Sequence, residues 1–173
     1  MDFLEKIDLK MSPVEYGWVD ASGNRHTDMK DFSDAYTLQS PEKLLGSHLG
    51  VCWDQVELER KLFNDAGTKV RSFFIVHYDG NMCPTHTFIL FEYNGKIYWH
   101  EHAWSIMREL HEFGSFKQAI SHIRKKFIES ELKGKYNPQN LVIYEYEAPP
   151  YGLSCLAFYK HCENGEQVRI SSL

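Results

Sequence analysis

Cys52, His86 and Glu101 are the residues of this sequence whose types and spacing can do covalent chemistry. A cysteine attacks a carbonyl as its thiolate, so it needs a base within hydrogen-bond reach. That base in turn needs an acceptor to set its tautomer and orientation. The stretch LGVCWDQVELERKLF (49–63) puts Cys52 in what reads as the first turn of an amphipathic helix. There the unpaired backbone N–H groups and the helix dipole favour an anion, and the same N–H groups are ready donors for an oxyanion. The opposing reading is a small buried side chain, a common fate of free cysteine.

The hairpin that follows bears on this choice. THTFILFEY (85–93) and KIYWHEHAW (96–104) are separated only by Asn94-Gly95, a strong two-residue turn signal. With that turn Tyr93 faces Lys96, Leu90 faces Trp99, Phe88 faces Glu101 and His86 faces Ala103. His86 and Glu101 then share one sheet face, a diagonal step apart, while His100 and His102 point to the other. They can serve Cys52 as base and orienting acid, provided that helix 51–65 packs its start against that face. A three-residue turn would reverse the parity.

The elements that must position these residues are readable in outline. SGN, within YGWVDASGNRH, reads as a turn between short extended pieces, and residues 28–50 suggest one or two short helices interrupted before Pro41. In the helix from Val51 to about Asp65, one apolar stripe carries Val51, Leu58 and Leu62, and the adjacent one carries Cys52, Val56 and Phe63. VRSFFIVHY (70–78) and NLVIYEYEA (140–148) read as further strands. SFKQAISHIRKKFIESEL (115–132) reads as a second amphipathic helix, and GLSCLAFYKHC as a short third one. This order points to a single α+β domain spanning residues 1–173, with the nucleophile-bearing helix packed on a largely antiparallel sheet.

Composition narrows the partners. Of the 173 residues, 43% are hydrophobic and 25% charged, ordinary for a soluble globular chain. A net charge of −5 argues against nucleic acid, since phosphate binding wants a concentrated basic face. HIRKKF (122–127) is followed by ESEL (129–132) and reads as a solvated helix face. No apolar run suits a signal peptide or a membrane span, so a cytoplasmic location and no membrane partner are expected. Cys52, Cys83, Cys155 and Cys162 form no CxxC pair and read as free thiols.

With these residues in view, the chain resembles a known family. Gly-Val-Cys-Trp (50–53) is similar to the nucleophile motif of the transglutaminase-like superfamily, whose fold is cysteine-proteinase-like. The stretch from His86 to Glu101 resembles that family's histidine strand, turn and acidic strand in order and length. The likeness is centred on residues 50–101 and is that of a small bacterial-type member. It implies a thioester-forming triad, with Cys52 as nucleophile, His86 as base and Glu101 in place of the usual Asp. A tryptophan commonly follows the family's histidine; here Thr87 and Phe88 follow. The resemblance implies acyl transfer or hydrolysis at a peptide or protein amide, that is, a cysteine peptidase, amidase or transglutaminase-type acyltransferase. It also implies a lesser oxyanion or substrate-binding role for Trp18, by position upstream, while Trp53 would line the core or the pocket. The alternative from another class is a non-catalytic peptide- or protein-binding module on the same scaffold.

A metal reading rests on Cys83-Pro-Thr-His86 and on the alternating His100 and His102. The hairpin parity sets His86 opposite His100 and His102, so this hairpin alone cannot assemble a tetrahedral site. No metal and no cofactor are expected, and no calcium loop of the DxDxDG kind is present.

Overall fold

A computed structural model describes residues 2–80 and 83–169. The chain begins with α1 (Asp2–Met11), then β1 (Glu15–Tyr16), β2 (Trp18–Val19) and β3 (Arg25–His26). Two short helices follow, α2 (Phe32–Ala35) and α3 (Pro41–Ser47), then β4 (Leu49–Gly50) and α4 (Cys52–Asp65). β5 (Val70–His77), β6 (Thr85–Tyr93), β7 (Lys96–His100) and β8 (Leu110–Phe113) come next, then α5 (Phe116–Ser130). The chain closes with β9 (Leu141–Tyr146), α6 (Cys155–Glu163) and β10 (Glu166–Gln167).

The main sheet has six strands in the order β10-β9-β5-β6-β7-β8, every neighbouring pair antiparallel. Its central strands are apolar on both faces, which requires cover on both sides. Phe74, Val76, Ile89 and Phe91 pack under α1, α4 and α6. Phe73, Ile75, Phe88, Leu90, Ile97 and Trp99 pack under α5. The architecture is therefore α+β in three layers, with α4 on one face of the sheet and α5 on the other.

Local chemistry accounts for the boundaries. Ser40 caps α3 by accepting from the Lys43 N–H, with Pro41 in the first turn. Ser115 caps α5 by accepting from the Gln118 N–H. Asn94 (φ 50°) and Gly95 (φ 73°) are both left-handed, the requirement of the tight hairpin turn.

Three features depart from the sequence expectations. First, α1 occupies residues to which the sequence pattern assigns no element. Its stripe of Leu4, Ile7 and Met11 is short, and a ten-residue helix is held by packing rather than by propensity. Second, the expected β6–β7 register holds as far as Ile89–His100 and ends there, so the pairings Phe88–Glu101 and His86–Ala103 are not made. Third, the body of α4 packs on the face opposite the one that His86 shares with Phe88 and Leu90, while its first residue, Cys52, lies beside His86. Among the described residues no helix is long and apolar enough to cross a membrane.

Candidate functional site

Cys52 is the first residue of α4, and its position is set by the chain before it. β4 pairs in parallel with β1, placing Tyr16 opposite Gly50. A Cβ on Gly50 would lie 2.7 Å from Leu44 Cδ1 and 2.9 Å from Asp54 Cβ, so only glycine lets the strand approach the helix this closely. Asp54, in the first turn, then ties the junction together. Its carboxylate accepts from the Val51 N–H (3.0 Å), the Gln39 N–H (2.8 Å) and the Tyr36 hydroxyl (2.9 Å). Burial pushes the Asp54 pKa up to about 7, against the pull of those three bonds.

Asp54→Ala leaves these buried donors without an acceptor. It is expected to lower the unfolding free energy by about 3 kcal/mol, seen as a lower urea midpoint at unchanged m. An unchanged midpoint would mean that the junction is held by packing alone.

Gln55 braces the same turn. Its Nε2 donates to the Gly50 carbonyl (2.7 Å), and its Oε1 lies 2.8 Å from His102 Nδ1. Burial, then the Arg108 and His100 charges, lower the His102 pKa to about 4. The ring is therefore neutral near pH 7, and its Nδ1–H donates to Gln55.

His86 and Glu101 meet at the end of the β6–β7 ladder. His86 Nε2 is 2.8 Å from Glu101 Oε2, and both residues are buried. Glu101 is held on two further sides, by the Trp99 indole N–H on Oε2 (3.2 Å) and by the Trp104 backbone N–H on Oε1 (2.7 Å). Burial alone would lower the His86 pKa, but the Glu101 carboxylate outweighs it, assisted by the Cys52 thiol alongside, and raises it to about 10. Burial would raise the Glu101 pKa; the His86 charge and the bonds from His86 and Trp104 bring it below its usual value instead.

The Cys52 thiol lies near enough to the imidazole to help raise its pKa, although the body of α4 packs on the other face. β7 leaves β6 after His100, so no strand pairs with β6 beside His86 on that side. The start of α4 meets His86 at this end of the sheet.

Comparison with protein-family models and with curated proteins finds no match for this chain. The reading of the site therefore rests on its own geometry and chemistry.

The other two candidates are placed differently. The Trp18 indole N–H donates to the Asp28 carbonyl (2.7 Å), and its ring stacks on His26 at 4.0 Å. Its donor is already committed, which leaves none for an oxyanion. Trp53 stacks on Phe158 at 4.6 Å and meets Phe32 and Tyr36 edge-on, so it belongs to the aromatic core under α4. His100 and His102 are engaged by carboxylates and by Gln55, and among the described residues no three His, Cys, Asp or Glu side chains converge as metal ligands.

A cavity of about 390 Å³ opens beside His86, bordered by Tyr16, Thr85, Trp104, Arg108 and Glu131. A larger hollow, about 810 Å³, lies at the opposite end of the sheet. Its arginines are already paired, Arg71 with Glu145 (2.6 Å) and Arg60 with Glu57 (2.8 Å). The smaller cavity is the one adjoining the reactive groups. Tyr16 joins them there, with 47% of its surface exposed. Desolvation, then the neighbouring Cys52 thiol, raise its pKa and keep its hydroxyl protonated. Nothing in the local pattern around Tyr16 or Arg108 marks either residue, because the β1–β4 pairing and the excursion after β7 bring them in from a distance.

Proposed function

We propose that Cys52, His86 and Glu101 carry out thiol-dependent acyl chemistry at an amide on a transglutaminase-like scaffold. The observation that carries this reading is the buried His86–Glu101 pair, 2.8 Å apart, with a helix-start cysteine alongside the imidazole. An imidazolium next to Cys52 is the counter-charge that a thiolate needs. The thiolate adds to the amide carbonyl, and first-turn N–H groups of α4 hold the oxyanion. His86 then gives its proton to the leaving nitrogen, the C–N bond breaks, and a thioester on Cys52 remains. Water or an amine, deprotonated by His86, attacks the thioester and releases the acyl product with the thiol. Glu101 keeps the imidazole in place and stabilises its cation throughout.

The test is the rate of iodoacetamide labelling near pH 7 at each of the four cysteines, resolved by peptide mass spectrometry. Burial holds the Cys155 and Cys162 thiols protonated, so neither should compete. Cys52 should label fastest although only 4% of it is exposed, and His86→Ala should slow it by roughly tenfold or more. If Cys52 is no faster than the others, the catalytic reading fails, and a binding module on the same scaffold takes its place.

A further inference from the structure

The cavity beside His86 has an electrostatic character that acyl chemistry by itself does not require. Arg108 and Glu131 both border it, and neither has an ion-pair partner among the described residues. Arg108 is nonetheless held in place. Its Nε donates to the His102 carbonyl at 2.7 Å, and among the described residues the two terminal nitrogens of the guanidinium have no acceptor. The bond joins Arg108 to the segment that also supplies Glu101 and the Trp104 N–H. That bond tethers the exposed Arg108 side chain on the segment next to the His86–Glu101 pair. A planar guanidinium with a pair of free N–H edges matches a carboxylate, which it binds in bidentate fashion.

We propose that Arg108 is the carboxylate anchor of this cleft, so that the preferred substrate is a small amide carrying a free carboxylate close to the scissile bond. This rests on the acyl-transfer reading above. Glu131, on the same cavity, opposes a second negative charge and favours an ammonium group, which limits the site to monoanionic or zwitterionic substrates. The carboxylate can belong to either side of the scissile amide: the C-terminal residue of a peptide, released as the leaving group, or the α-carboxylate of a glutamine whose side-chain amide is attacked.

The first experiment needs no amide turnover. Cys52 is alkylated with iodoacetate and, separately, with iodoacetamide, in the wild type, Arg108→Gln, Arg108→Lys and Glu131→Gln. The ratio of the two rates reads the preference of the cleft for an anion, independently of the reactivity of the thiol. Arg108→Gln should lower the iodoacetate-to-iodoacetamide ratio about tenfold, Arg108→Lys should lower it less, and Glu131→Gln should raise it. A ratio unmoved by Arg108→Gln overturns the anchor while leaving the triad standing. Failure of both reagents at Cys52 in the wild type overturns the triad itself. A second arm compares a peptide with a free C-terminus against its C-terminal amide, and free glutamine with its α-carboxylate against the α-amide. Loss of kcat/KM on blocking the carboxylate in one pair, and not in the other, assigns the side of the bond on which it lies. Indifference to blocking in both pairs overturns the proposal.

Discussion

Replacing Glu101 by Gln is expected to cut amide turnover by about 10³–10⁴-fold, with most of the loss in kcat. The carboxylate accepts from three donors: the His86 ring, the Trp99 indole and the Trp104 backbone N–H. A glutamine keeps one acceptor oxygen and sets an NH₂ group against the others, so it can neither hold the imidazole nor offset its charge. Without that charge the largest influence that raises the His86 pKa is gone, and burial pulls it down from its wild-type value. NMR titration of the His86 ring reads this directly: the ring stays protonated up to about pH 10 in the wild type and should lose its proton at a lower pH in the variant.

The sign for stability follows from the same shifts. The raised His86 pKa gives stability fully present below 6.5 and lost as the pH climbs towards about 10. The lowered Glu101 pKa gives stability present above 4.5 and lost as the pH falls through its folded value. A Glu101→Gln enzyme with unchanged kcat would remove Glu101 from the mechanism.

Glu59→Ala should lower the stability by about 3–5 kcal/mol, because it strips a buried cation of its buried partner. His100 is 5% exposed and bridges two carboxylates, with Nδ1 3.0 Å from Glu59 and Nε2 2.9 Å from Asp8. Both ring nitrogens donate, so the ring is an imidazolium, and it fastens α1 to α4 on one face of the sheet. Glu59 is 2% exposed, whereas the Asp8 side chain is 65% exposed. Asp8→Ala should therefore cost only about 1 kcal/mol, since water replaces the lost partner.

The pH dependence separates the contributions. Burial would lower the His100 pKa, but the Asp8 and Glu59 bonds outweigh it and raise it to about 10. That stability is complete below 6.5 and lost as the pH rises towards 10. Burial also raises the Glu59 pKa, and this contribution is lost in the same direction. Urea unfolding at pH 6, 8 and 10 should show the wild type weakening with pH and Glu59→Ala weakening less steeply. Equal slopes would show that His100 is not charged in the folded protein.

Local chemistry made much of this molecule legible. The 3.6-residue spacing of Val51, Leu58 and Leu62 marked α4 within a residue at its start, because an amphipathic stripe is periodic along the chain itself. Asn94-Gly95 marked the hairpin and its register, because few residues besides Asn and Gly readily take two successive left-handed conformations. The same reasoning put His86 and Glu101 on one face of that hairpin.

It did not place α4, because a strand that is apolar on both faces does not reveal which helix covers which side. Phe88 and Leu90 look no different in the sequence from Ile89 and Phe91, yet α5 covers the first pair and α4 the second. Nor did it show that Trp18 gives its N–H to Asp28, that Asp54 gathers Val51, Gln39 and Tyr36, or that Arg108 is set beside His86.

By itself the sequence determined α4, α5, the strands β5, β6, β7 and β9, the hairpin register as far as Ile89–His100, and three residue types whose chemistry suits a nucleophile, a base and an orienting acid. All of these rest on interactions between residues near one another in the chain. Only the tertiary structure decided that β7 parts from β6 after His100, and that the start of α4 meets His86 there from the opposite face. That meeting depends on packing between distant segments, where shape and burial across the whole sheet select one arrangement among many that share the same local pattern.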